Sequence, residues 1–384
     1  MEKTKSPAPP LESRPALPAA ERVYSLDALR GFDMMWIVGA DAVGSALSQF
    51  RGGAVARVAA AQLDHSPWAG VRFYDLIFPL FVFMVGVAIP YSLDKIVASG
   101  GRGAAVRRIV LRTALLYLLG LFYYGGFATA LDHVRLLGVL QRIALSYCGA
   151  SLLYLWLKPR GLWAVFAGLL AGYWALMTFV PVPGFGAGDF AEGHNLANWI
   201  DAHYLPLRKW DGDHDPEGLL SAFPAVATCL LGVFAGRWIK DPGRSRQAKA
   251  GRLAIAGCVL LGIGLLWSPQ FPVIKKVWTS SFVLVAGGWS MLLLAVFYQV
   301  ADVWKLRSWL QPFVWLGCNS LTIYLVSNIV DFGRLSERFA GGTVAAALNG
   351  LWPGLGALVL ALTSIVLCML LCGFLYRRKI FLRL

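Results

Sequence analysis

Charged and amide side chains inside otherwise apolar stretches are the first residues in this chain with evident chemical potential. Residues 28–48 hold Arg30, Asp33 and Asp41, and residues 73–93 contain Asp75 near their start. Residues 135–157 hold Gln141 and Arg142, and residues 310–331 hold Asn319 and Ser320. A charge in apolar surroundings is costly, so such groups pair with one another or face a substrate path. Arg30 and Asp33 stand three residues apart, so on one helix they either pair or face a ligand together. Asp41 comes eight residues after Asp33, which turns it by roughly 80° and aims it at a neighbouring part of a bundle. Arg142 has no partner in its own segment; a buried ion pair with another element and a substrate anchor both fit. Asn319 either binds substrate or clamps helices. The five histidines (His65, His133, His194, His203, His214) carry the side chain that changes protonation near neutrality. On their surroundings alone, each reads as a loop residue.

These residues must be held by elements that suit a membrane. The chain has 384 residues, 58% hydrophobic and 15% charged, with a mean hydropathy of +0.61. Soluble proteins average about 45–50% apolar and about 25% charged. Ten apolar segments have about the 20 residues that cross roughly 30 Å of hydrocarbon: 28–48, 73–93, 107–127, 135–157, 161–181, 218–238, 251–268, 281–301, 310–331 and 351–376. In lipid they must be helices, because every backbone polar group needs an internal partner. The expected fold is therefore an all-α polytopic membrane protein with about ten transmembrane helices in one bundle. Residues 1–22, without an apolar core, read as a disordered cytoplasmic tail, and 23–384 as one transmembrane domain. Residues 340–350 leave room for a short interfacial turn. No internal repeat stands out, so an inverted-repeat transporter gains no support.

The positive-inside rule sets the orientation. With the N-terminus inside, cytoplasmic segments carry 24 Lys and Arg residues against 10 in the opposite loops. Both termini are then cytoplasmic, and all five histidines face outward with loop 182–217 and its seven acidic residues. The net charge of +14 follows this membrane pattern rather than a nucleic-acid surface. The six cysteines lie within apolar segments, without metal-site spacing or a natural place for disulfides. Asp215-Pro216-Glu217-Gly218 spells a helix start, with Asp at the N-cap and Pro at N1. Gly184, Gly186 and Gly188 imitate a nucleotide loop but lack the strand–helix context.

Several motifs in order resemble a known family. Ser25-Leu26-Asp27-Ala28-Leu29-Arg30-Gly31-Phe32-Asp33 is similar to the start of the first helix in transmembrane acyltransferases. His65-Ser66-Pro67-Trp68-Ala69-Gly70 and Tyr74-Asp75-Leu76-Ile77-Phe78-Pro79-Leu80-Phe81-Val82-Phe83 resemble the heparan-α-glucosaminide N-acetyltransferases and their bacterial relatives. Gly138-Val139-Leu140-Gln141-Arg142-Ile143, Asp215-Pro216-Glu217-Gly218-Leu219-Leu220, Lys276-Val277-Trp278-Thr279-Ser280-Ser281-Phe282, Asn319-Ser320 and Tyr376-Arg377-Arg378-Lys379-Ile380-Phe381 continue the match.

The resemblance implies transfer of acetyl from cytosolic acetyl-CoA to a glucosamine amine on the other face. It places the family's catalytic histidine at His65 and a polar residue of the first span at Asp41, where the lysosomal enzyme has asparagine. Asp75, Arg142, Gln141, Asn319 and Glu217 are then the expected substrate-binding residues. Amine acetylation needs a neutral nitrogen, and an imidazole with an ordinary pKa of about 6.5 suits its deprotonation. The same ring could instead carry the acetyl group as a nucleophile. An aspartate beside His65, either Asp41 or Asp75, would fix its tautomer. Arg107, Arg108 and Arg112 are placed on the cytoplasmic side, where the CoA phosphates need cations, although stop-transfer charges are found there too. No metal is expected.

Set against that family, the chain is expected to lack the lysosomal member's lumenal domain, and its length suits a bacterial inner-membrane protein. The expected acceptor is therefore free glucosamine or a short amino sugar. Its partners are acetyl-CoA, the amino sugar and the lipid bilayer, without nucleic acid; a homodimer is compatible with the sequence. A sugar or peptide carrier and a related membrane O-acyltransferase are the competing readings, the latter typically having a histidine where this chain has Asp41.

Overall fold

A computed structural model describes residues 23–50, 53–128 and 130–382. The tail expected over 1–22 lies outside the described residues. Among the described residues the chain is helical, without strands beyond isolated bridges. In order, the helices are α1 (Tyr24–Ser48), α2 (Ala54–Gln62), α3 (Ile77–Tyr123), α4 (Val139–Trp156), α5 (Pro159–Phe179), α6 (Leu196–Tyr204) and α7 (Ala222–Lys240). They continue as α8 (Arg246–Trp267), α9 (Ser280–Tyr298), α10 (Gln311–Cys318), α11 (Ser320–Ile329), α12 (Phe332–Ala340), α13 (Thr343–Leu351) and α14 (Leu355–Arg377). Six helical stretches, Phe73–Tyr123, Pro159–Phe179, Ala222–Lys240, Arg246–Trp267, Ser280–Val303 and Leu355–Arg377, are long and apolar enough to cross a membrane.

The 47 residues of α3 contain two of the apolar segments. Gly101 divides them with φ of +75°, a conformation that a Cβ would strain, and the chain turns back there. Arg108 and Arg112 follow the bend, whereas Tyr123 lies at the far end. The segment 310–331 is also broken: α10 ends before Asn319 and α11 begins after it.

Burial separates an inner from an outer set. In the apolar windows of α3, α7 and α9, 72% of residues are buried, against 22–28% in α5, α8 and α14. Between α3 and α7 the backbones meet closely, because a Cβ on Gly86 would strike the Cys229 carbonyl and one on Gly232 the Phe83 carbonyl. In lipid, where apolar burial between helices gives little net drive, such close packing does the holding. Phe83, Leu230, Leu231 and Phe282 fill the core that these helices share with α4.

Three local expectations are corrected. Asp215-Pro216 does not start a helix: residues 215–221 are turns, and α7 begins at Ala222. The Asp215 side chain does accept the Glu217 N–H at 2.9 Å, but its oxygens mainly serve Arg135. Residues 340–350 form the end of α12 and most of α13 rather than a single turn. Arg30 pairs with Asp27 at 3.8 Å, while Asp33 is fully buried without a hydrogen bond among the described residues.

Candidate active site

His65 sits in the loop between α2 and a 3-10 turn, Phe73–Leu76, that leads into α3. This loop is held by its own side chains. One carboxylate oxygen of Asp75 accepts the backbone N–H groups of Ser66 (3.1 Å) and Arg72 (3.0 Å). Arg72 donates to the His65 carbonyl at 2.9 Å and reaches Asp64 at 3.3 Å, while Asp64 accepts the His65 N–H at 2.8 Å. The other Asp75 oxygen lies 2.9 Å from His65 Nδ1. Asp75 is almost wholly buried, with 1% of its side chain exposed against 52% for His65, so a rigid acceptor holds an accessible ring. With the Nδ1 proton donated to Asp75, the Nε2 lone pair is free.

A second loop completes the group. Gly70 N–H donates to the Val273 carbonyl at 2.8 Å, tying residues 63–72 to the segment between α8 and α9. There Thr279 accepts the Ile274 N–H at 3.1 Å, and the buried Trp278 donates to Thr228 at 3.0 Å. This fixes Lys275, whose Nζ lies 2.9 Å from His65 Nδ1, 3.4 Å from Nε2 and 3.4 Å from Asp75. Burial pulls the Lys275 ammonium below the usual lysine range, against the pull of Asp75. The Tyr74 ring stacks on His65 at 4.6 Å and 15°, and its hydroxyl bonds Asp41. The carboxylate on the imidazole is therefore Asp75; Asp41 is linked to it through Tyr74.

Glu217 belongs to a neighbouring cluster. Arg135 donates to both Asp215 oxygens, at 2.8 and 2.6 Å, and to Glu217 at 2.5 Å. Its guanidinium carbon lies 4.7 Å from the centre of the Tyr124 ring and 4.9 Å from that of the Trp210 ring. Burial pushes the Glu217 carboxyl above its usual range, against the pull of Arg135. Asp201, which accepts the Leu219 N–H at 2.8 Å, is raised by burial to about 6.

A cavity of about 1050 Å³ joins these groups to the opposite end of the bundle. His65, Lys275, Asp41 and Glu217 line one end, and Arg30, Arg108 and Arg112 the other. Arg30 and Asp41 are both on α1, about 16 Å apart along its axis. Phe81, Val85 and Ile143 line the apolar stretch between them.

The remaining predicted residues lie elsewhere. Arg142 is behind the wall, bonded to Ser221 and at 3.4 Å to the Gly218 carbonyl, with its guanidinium 4.8 Å from the Trp278 ring. It has no ion pair within 4.0 Å among the described residues, so the pairing foreseen for it is replaced by neutral acceptors and a ring face. Gln141 is fully buried against Gly120 and Gly138. Asn319 spans the break between α10 and α11, donating to the Trp315 carbonyl at 3.1 Å and the Cys372 carbonyl at 3.4 Å. Sequence reasoning missed Lys275, Tyr74 and Arg135. Lys275 stands one residue before the Lys276-Val277-Trp278 motif, and its charge in a short loop between two apolar segments was the signal on offer.

The described residues hold one group able to ligate a metal: Glu192, Asp211 and His214, with ligand atoms within 4.8 Å of one another. Lys276 Nζ already lies 2.7 Å from Glu192 and 2.9 Å from Asp211, where a cation would sit. The lysine is thus the cation that these two carboxylates share.

Residues 22–158 match a family described as a domain of unknown function, DUF5009. The heparan-alpha-glucosaminide N-acetyltransferases of Mus musculus and Homo sapiens are 25% and 27% identical over 82% and 81% of this chain. The alignments cover 54% and 53% of those proteins, so the chain spans about half the length of the curated relatives it matches.

Proposed function

We propose that this chain is a membrane N-acetyltransferase that takes acetyl from acetyl-CoA on the cytoplasmic side and passes it to an amino-sugar amine, such as that of glucosamine, on the outer side. The observation that carries the reading is the single cavity with three arginines at one end and the His65–Asp75–Lys275 group at the other. Arg30, Arg108 and Arg112 suit the phosphates of CoA. The cavity's apolar middle suits the pantetheine arm, which would bring the thioester to His65. The Nε2 lone pair of His65 takes the proton of the acceptor ammonium, Asp75 steadies the resulting imidazolium, and the freed amine attacks the thioester carbonyl. Asp41, exposed at the outer end of α1, faces the incoming cation. In this reading all ten apolar segments cross the bilayer: α1, both halves of α3, α4, α5, α7, α8, α9, α10 with α11, and α14. Both termini are cytoplasmic, in an inner membrane.

Incubating detergent-solubilised protein with labelled acetyl-CoA and glucosamine tests this. N-acetylglucosamine that forms only with the protein present supports the enzyme. Vesicle uptake of glucosamine without acetylation would make the chain a carrier instead.

A further inference from the structure

The protein already holds a primary amine where an acceptor amine must come. Lys275 Nζ lies 2.9 Å from one ring nitrogen of His65 and 3.4 Å from the other, and both residues line the same cavity. That is hydrogen-bond reach between a base and the nitrogen it would deprotonate. With Nδ1 serving Asp75 the lone pair is on Nε2, 3.4 Å from the lysine nitrogen, a contact that has to tighten when the donor binds. The groups that face Lys275 are His65 and Asp75 from the loop and turn before α3, Glu217 before α7 and Asp41 on α1.

We propose that Lys275 is a self-acetylation site: without an acceptor, its side-chain nitrogen takes the acetyl group that the cavity delivers. The proposal rests on the acetyl-CoA reading of the site. In the step, neutral His65 removes one proton from the Lys275 ammonium and passes it to solvent. The Nζ lone pair attacks the thioester carbonyl, a C–N bond forms and the C–S bond breaks. The departing CoA thiolate takes the second proton lost by the nitrogen. The products are Nε-acetyl-lysine and CoA thiol, and no oxidant or further reactant is needed. Desolvation favours the reactive neutral amine at Lys275. The product is an amide, so it persists, and it removes a charge beside His65 and Asp75. A transferase left with donor alone would therefore block its own site, and a bound acceptor amine would protect it.

The test is peptide mass spectrometry of the full chain after incubation with acetyl-CoA alone. The expected result is one added acetyl group at Lys275, resistant to hydroxylamine, absent in Lys275→Arg and in His65→Ala, and reduced by glucosamine. Turnover should fall in step with labelling when the wild type is preincubated with donor alone. An unlabelled Lys275 in a preparation that acetylates glucosamine overturns the proposal and leaves the transferase intact. A hydroxylamine-labile acetyl on His65 in place of the lysine label overturns it too. If acetyl-CoA labels neither Lys275 nor glucosamine, the transferase reading falls, and p-nitrophenyl acetate then judges the lysine alone. Preferential labelling of Lys275 by that ester keeps it as the reactive amine, whereas labelling no faster than that of exposed lysines rejects it.

Discussion

The chemistry of this site depends on which nitrogen of one imidazole is free. Asp75 is buried and already accepts two backbone N–H groups, so it cannot swing away from His65. Losing a general base typically costs about 10²–10⁴ in rate. His65→Ala should therefore leave a folded protein whose acetylation is at least about a hundredfold slower; more than half of wild-type turnover would show that His65 is only a loop residue. Asp201 offers a separate reading through pH. Its carboxyl is raised by burial to about 6, so the folded state favours the protonated form. That contribution is complete below the unfolded pKa and is lost as pH rises through about 6. The thermal midpoint of the wild type relative to Asp201→Asn should fall between pH 5 and pH 7; a constant difference would mean that Asp201 titrates normally.

Helices and their breaks position these groups, and two glycines carry much of that task. Gly101 turns α3 back, and a methyl there meets nothing within 4 Å but forces a side chain into positive φ. Gly101→Ala, held at φ +75° and ψ −178°, should therefore destabilise by about 1–3 kcal/mol. Gly232→Val, which drives its Cβ into the Phe83 carbonyl between α3 and α7, should abolish the monodisperse folded protein. Fluorescence-detected gel filtration during a heating series separates the two. If both variants melt alike, backbone contact between α3 and α7 is not what holds the core. Most of these elements were legible in the sequence, because apolar runs of about 20 residues leave the backbone no choice but helix. The break at Asn319 and the turns at 215–221 were not. Asp215-Pro216 satisfies every local rule for a helix start, yet tertiary ion pairs with Arg135 claim its carboxylate. The site was half legible for the same reason. His65 and Asp75 lie ten residues apart within recognisable motifs, whereas Lys275 comes from 210 residues away and meets them only because Gly70 bonds Val273.

For the molecule as a whole, transfer from a cytoplasmic donor to an outer acceptor requires that the two ends of the cavity face opposite sides of a membrane. In the orientation proposed from the distribution of basic residues, 24 against 10, loop 182–217 and His65 share the outer side. A cysteine introduced at exposed Asp213 should react with an impermeant maleimide in intact cells. Protection in cells with reactivity in inverted vesicles would reverse the orientation. Transmembrane transfer is measured directly across a sealed bilayer. Inverted vesicles would be loaded with glucosamine, given labelled acetyl-CoA outside and washed. Labelled N-acetylglucosamine should appear inside the vesicles, made by the wild type and reduced at least about a hundredfold in His65→Ala. Label that forms only when donor and acceptor share a side, or forms equally without His65, would contradict such transfer.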